Sequence, residues 1–201
     1  MHARVLAGYA QPGKRDELIQ IIRDSLVPVA KQQQGFKRYL ALTDPSTNKG
    51  LTISLWETEA DLRAGEASGY VREQLVKVAH VLASAPIQAV YEVSIQEVQQ
   101  GGPGGHARVL TATVHPGKTD EGVQIVRDSV LPVTRQQPGF KGELLLTDHS
   151  QNKVIAITLW ETEADLLTGE TSGYLQEQLG KVAHLLATQA VREAYEVAFQ
   201  V

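Results

Sequence analysis

The chain has 201 residues, a formal net charge of −4, 42% hydrophobic and 21% charged residues. This is ordinary globular usage and excludes a disordered chain, while the lack of any basic stripe disfavours nucleic acid and anionic membrane as partners. Cysteine is absent, which rules out disulfides, thiolate metal sites and cysteine nucleophiles.

In chain order, residues 3–10 are short, apolar and β-compatible and end at Gln11-Pro12-Gly13, so a strand and a turn are expected. Leu18, Ile22, Leu26 and Val29 then fall at helical spacing, predicting an amphipathic helix over 14–33. Pro28 lies inside it and removes a donor to the Asp24 carbonyl, so a kink or break is expected there. Gly35 ends the helix. A second strand over 36–43, a hairpin loop over 44–48 and a third strand over 49–57 follow. Leu51, Ile53 and Leu55 line one face of that third strand, and Thr52, Ser54 and Trp56 the other. Thr58-Glu59-Ala60-Asp61 resembles a capping box. The helix it opens is interrupted near Ser68-Gly69 and resumes through Leu75 and Val78 until Pro86, before a last strand over 87–97.

The whole pattern then repeats. His2-Ala3-Arg4-Val5-Leu6 recurs as His106-Ala107-Arg108-Val109-Leu110, and the offset of 104 residues holds to the end of the chain, with more than half of the aligned positions identical. Two copies, 1–98 and 106–201, flank a Gly-rich linker at 99–105. Each reads β-α-β-β-α-β, the ferredoxin-like unit. The expected fold class is α+β: two such repeats packed sheet to sheet as an intramolecular pseudo-dimeric α+β barrel. The repeats pair with each other in this reading, and further homo-oligomerisation stays open.

The candidate residues follow from position. Trp56 and Trp160, the only tryptophans, offer an aromatic wall for a planar ligand, or else are packed core residues with a satisfied ring nitrogen. Ser25 and Ser129 interrupt the apolar stripe of the first helix, with Gln32 and Gln136 two turns on. They would orient a ligand by hydrogen bonds, or else bond back to their own helix. Tyr70 and Tyr174, at the helix interruption, would close a pocket mouth. His80 and His184 are candidate bases, yet the helical wheel places them opposite the apolar stripe. No residue declares itself catalytic, no histidine pair has metal-ligand spacing, and no metal is expected. Three positions differ between copies in a way that only a structure can interpret: Tyr9 becomes Thr113, Arg38 becomes Gly142 and Tyr39 becomes Glu143. If altered positions line one pocket alone, the two sites have different jobs.

The proline-bearing helix Arg127-Asp128-Ser129-Val130-Leu131-Pro132-Val133, then Pro138-Gly139-Phe140, then the strand ending Leu159-Trp160-Glu161-Thr162-Glu163-Ala164, is similar to the antibiotic biosynthesis monooxygenase-like domains of the dimeric α+β barrel superfamily. The resemblance covers nearly all of both copies. It implies a pocket between sheet and helices in each half, and oxidation of an aromatic or phenolic small molecule by dioxygen without a cofactor. The alternatives are a non-catalytic small-molecule-binding or stress-related protein and, further off, a haem-degrading one. The haem-degrading branch carries an Asn, Trp and His set; the first strands here hold no Asn, and His80 and His184 come late after the tryptophans. An RNA-binding module would need exposed aromatics and a positive field, which this composition does not supply. No apolar stretch forms a signal-peptide core or reaches the ~18 residues of a bilayer span, so a cytoplasmic location is expected.

Overall fold

The computed structural model describes residues 1–98 and 104–201; residues 99–103 of the expected linker lie outside the described residues. The first repeat contains β1 (His2–Tyr9), α1 (Arg15–Ile21), α2 (Val27–Lys31), β2 (Phe36–Asp44), β3 (Lys49–Trp56), α3 (Glu59–Ala67), α4 (Tyr70–Val78) and β4 (Ile87–Val98). The second contains β5 (His106–Thr113), α5 (Thr119–Ile125), α6 (Leu131–Thr134), β6 (Phe140–Asp148), β7 (Lys153–Trp160), α7 (Glu163–Thr171), α8 (Tyr174–Val182) and β8 (Val191–Gln200). The fold class is the expected one: two ferredoxin-like βαββαβ repeats of antiparallel strands, with neighbours in the order β1-β3-β2-β8 in one half of the sheet order and β5-β7-β6-β4 in the other.

The chain divides into two compact units that do not coincide with the repeats. One is Met1–Tyr91 with Glu196–Val201, and the other is Glu92–Tyr195. In the first, β1 and β2 flank β3, and the end of β8 adds to β2 through Leu40↔Gln200 to Thr43↔Glu196. In the second, β5 and β6 flank β7, and the later part of β4 adds to β6 from Glu92↔Thr147 onward. Each unit thus receives its last strand segment from the far end of the other repeat's sequence.

Local chemistry explains the elements. On β1, Ala3 and Val5 are buried on one face while Arg4 and Leu6 lie on the helix-covered face, the period-2 alternation of a strand. The β2–β3 hairpin turns through Asn48 at φ 60°, while the Asp44 carboxylate accepts from the Ser46 N–H at 2.8 Å and the Thr47 hydroxyl at 2.6 Å. The break expected at Pro28 takes the form of a π-helical turn over Ile22–Leu26 just ahead of it, repeated over Val126–Val130 ahead of Pro132. With no proline N–H available, the hydrogen-bond ladder steps to the next donor and absorbs one extra residue. Thr58 accepts from the Asp61 N–H at 3.1 Å, and Thr162 forms the full capping box with Asp165. Gly69 and Gly173, at φ 79° and 80°, supply the left-handed residue that separates α3 from α4 and α7 from α8. Among the described residues no helix is long and apolar enough to cross a membrane.

Candidate functional site

The strand registers put matching polar side chains side by side under the helices. In the second unit Arg108 pairs with Thr158 and Thr158 with Glu143, so β5, β7 and β6 present one polar row. The next row is Leu110, Ala156 and Leu145. Above these rows lies a cavity of about 120 Å³, apolar over most of its wall and polar at the Arg108–Thr158–Glu143 end, where Thr134, Tyr174 and Gln178 also reach it.

Each polar group there has an assignable state. The Arg108 guanidinium donates to the Leu166 carbonyl, lies 3.3 Å from Glu170 and sits 5.3 Å from the Trp160 ring centroid. The Tyr174 hydroxyl donates to Thr134 Oγ1, and that hydroxyl donates to the Val130 carbonyl at 3.0 Å. Burial raises the Tyr174 pKa and keeps the phenol neutral. Gln178 accepts from Lys181 Nζ through Oε1 at 2.7 Å, but its Nε2 has no hydrogen-bond partner among the described residues. Glu143 is 3% exposed and its Oε2 also has no partner among the described residues. Burial, reinforced by the Glu97 carboxylate, pushes its pKa up to about 7, while Arg135 works the other way. A carboxyl poised near neutrality against an apolar cavity can take or give a proton without bulk water.

The first unit has the same framework with a different filling. Arg4, Ser54 and Tyr39 form the corresponding row. Tyr39 is 7% exposed, hydrogen-bonds Thr52 and stacks on Phe199 at 6.0 Å between centroids. Burial pushes its pKa up to about 12. Tyr39 lies on the walls of two separate cavities of about 80 and 40 Å³.

The structure places the residues singled out from sequence as follows. Trp56 and Trp160 are fully buried in the row next to the polar one on the same sheet face, and neither is on the wall of the cavities described above; their Nε1 groups donate to Ser54 Oγ and Thr158 Oγ1, both at 3.0 Å. Ser129 is exposed and Ser25 half-buried, and neither is on a cavity wall. The extra residue of the π-turn advances the helical face by one position, so Leu26 and Val130 occupy the inward place instead. Gln32 and Gln136 are exposed after the last helical turn. His80 and His184 are on the surface, near Glu17 at 3.3 Å and Glu121 at 3.6 Å. Tyr70 and Tyr174 do line cavities. Among the described residues no cluster of three or more His, Asp or Glu could hold a metal.

Glu143, Thr134, Gln178 and Arg108 were not singled out as site residues. The legible signal was the comparison of copies. Of the three differences noted, Tyr39/Glu143 is on the cavity wall, whereas Tyr9 is 47% exposed and Arg38/Gly142 flanks a strand irregularity. Around Glu143 the changes are concerted: Thr134 stands where the first copy has Ala30 and Arg135 where it has Lys31, while Glu97, which the first copy lends to this unit, has Val201 as its counterpart in the second copy.

Comparison with known proteins follows the same outline. The family model described as "Antibiotic biosynthesis monooxygenase" matches residues 1–74 and 106–177. An uncharacterized protein of Mycobacterium tuberculosis H37Rv is 22% identical over 167 residues, covering 81% of this chain and 72% of that protein. Among solved structures, an anthrone oxidase-like protein matches with a TM-score of 0.73 at 16% identity, over 100% of this chain and 92% of that one. A heme-degrading enzyme of Listeria monocytogenes matches at 0.56 and 13% identity, over 98% of this chain and 99% of its own. At these identities the structural likeness carries the fold alone.

Proposed function

Because the chain belongs to the antibiotic biosynthesis monooxygenase family, we propose that the cavity of its second unit oxidises an aromatic, phenolic small molecule with dioxygen and without a cofactor. The observation that carries this reading is the pair of unpartnered buried atoms, Glu143 Oε2 and Gln178 Nε2, on the wall of one largely apolar cavity. Such groups are costly unless something binds them. One is an acceptor and the other a donor, which suits a ring carrying a hydroxyl and a second oxygen.

The chemistry then rests on the substrate. Glu143 removes a proton from an acidic O–H or activated C–H, the substrate anion gives an electron to dioxygen, and recombination forms a C–O bond. Glu143 returns the proton to the peroxide oxygen. At a ring carbon bearing two hydrogens, the hydroperoxide loses water and leaves a carbonyl: R2CH2 + O2 gives R2CO + H2O. The substrate itself is the reductant, so the reading calls for no bound redox group. The apolar wall keeps water from the anion.

Oxygen uptake by chelator-treated protein is the test, against dihydroxynaphthalenes and anthrone. Uptake is expected with the native chain. It should fall about tenfold or more in Glu143→Gln and stay unchanged in Ser129→Ala. A phenol that binds the cavity but is never oxidised would instead make this a small-molecule-binding protein.

A further inference from the structure

The two units share a framework but not a cavity. The smaller of the two cavities that Tyr39 lines in the first unit has ten lining residues, and the counterpart of every one lies on the wall of the one cavity that Glu143 lines in the second. The space that is divided in one unit is therefore continuous in the other. Tyr39 stands at the division with Leu6, Leu26, Thr52 and Leu75, all of which line both pieces, and it is the largest of them. Substitutions around it run both ways: Leu18 is replaced by Gly122, Leu26 by Val130, Thr52 by Ala156 and Pro86 by Ala190, which trim the wall of the second cavity, while Gly8 is replaced by Ala112, Ala10 by Val114, Ala41 by Leu145 and Gly50 by Val154, which add to it. Phe199, on which Tyr39 stacks, is replaced by Ile95. What distinguishes the second cavity is chemical: it alone carries a carboxyl, at Glu143, and the Thr134 hydroxyl on its wall.

We infer that the chain carries one small-molecule site, not two: a neutral hydroxyarene binds in the second unit, donating its O–H to Glu143 and accepting from Gln178 Nε2, while Tyr39 occupies the equivalent space of the first unit. Neutrality follows from the surroundings. An anionic ligand would meet Glu143 in a low-dielectric cavity, and the one cation on that wall, Arg108, is already tied to Glu170 and the Leu166 carbonyl. A fully apolar ligand would leave the Glu143 and Gln178 atoms unpaired. In the first unit the Tyr39 ring is held by Phe199 and Thr52, so a ligand would have to displace a packed aromatic. The inference rests on the second unit's cavity being the site proposed above, but not on any oxidation taking place there.

Anaerobic calorimetric titration with a dihydroxynaphthalene, and separately with anthrone, separates the two. The native chain should bind one molecule. Glu143→Tyr, which copies the first unit's residue, should abolish binding, and the near-isosteric Glu143→Gln should weaken it about tenfold, with cooperative urea unfolding at pH 4 showing that both variants fold. Tyr39→Ala should raise the stoichiometry towards two. Two molecules per native chain, no binding of either probe, or full binding by Glu143→Tyr would each overturn the inference. Tight one-to-one binding without oxygen uptake in air would remove the proposed oxidation and leave the single site standing. Oxygen uptake with two bound molecules would do the reverse.

Discussion

Glu97 and Glu143 are direct cross-strand partners on β4 and β6. One is buried in the cavity wall, and the other is held by Arg135 at 2.6 Å. The like charge raises the Glu143 pKa and Arg135 lowers it. Replacing Glu97 by Gln should therefore move the Glu143 titration below about 7, by roughly half a unit or more, and Arg135→Gln should move it upward. Carbon-13 NMR of the glutamate carboxyls reads both shifts. Equal titrations in the native chain and both variants would remove this pair from any tuning role.

The stability of the native chain should carry the same signature. Glu143 titrates near 7 when folded against an ordinary 4.5, so the fold favours its protonated form. That contribution is complete below about 4.5, declines as pH rises towards about 7 and is gone above it. Glu143→Gln, neutral throughout, should be more stable than the native chain at pH 8 by ~2–3 kcal/mol and nearly equal to it at pH 4. Urea unfolding at the two pH values measures the difference.

The Tyr174–Thr134 contact has no counterpart in the first copy, where Ala30 replaces the threonine. Thr134→Val keeps the shape but removes the acceptor of the half-buried phenol, and should cost about 1 kcal/mol. Tyr174→Phe should cost much the same, and the double variant little more. A thermodynamic cycle showing simple additivity would mean that the two hydroxyls do not act together.

Trp56 and Trp160 sit in matching environments, each donating to a hydroxyl at 3.0 Å and lying 5.3 Å from an arginine. Phenylalanine at either place leaves a small void and an unpaired hydroxyl acceptor, and should cost ~2 kcal/mol or more. Both variants should lose similar stability and keep the native binding stoichiometry. If Trp160→Phe abolished ligand binding while the fold stayed stable, the ring would have to be part of the cavity after all.

Gly139 has φ 72°, and a Cβ placed there would come within 2.3 Å of the Asp165 carboxyl, which caps α7. Gly139→Ala should therefore impose both a left-handed strain and loss of the cap, about 2 kcal/mol or more together. Thermal unfolding would show it as a clear drop in Tm. The equivalent Gly35→Ala, against Asp61, should behave alike.

Much of the architecture was written in the chain itself. The 104-residue offset, the period-2 strands, the Thr58 and Thr162 caps and the Pro28 and Pro132 breaks are local patterns, and local patterns specify elements because each depends on neighbours a few residues apart. Sequence also showed that Tyr39 and Glu143 differ. What it did not supply was their direction. A polar row of Arg108, Thr158 and Glu143 exists only once β5, β7 and β6 are in register, pairing Thr158 with residues 50 and 15 positions before it. The helical wheel assigned Ser25 and Ser129 to the ligand side because it assumes a constant period, and one π-turn is enough to put Leu26 and Val130 there instead. The tryptophans had the right chemistry for a ligand wall, and only the tertiary packing decided that their rings are fully buried beside the polar row, each bonded to a hydroxyl. The pKa of Glu143 likewise belongs to no sequence motif: it comes from burial, and from a Glu97 carboxylate that the β4–β6 ladder brings across from the first repeat.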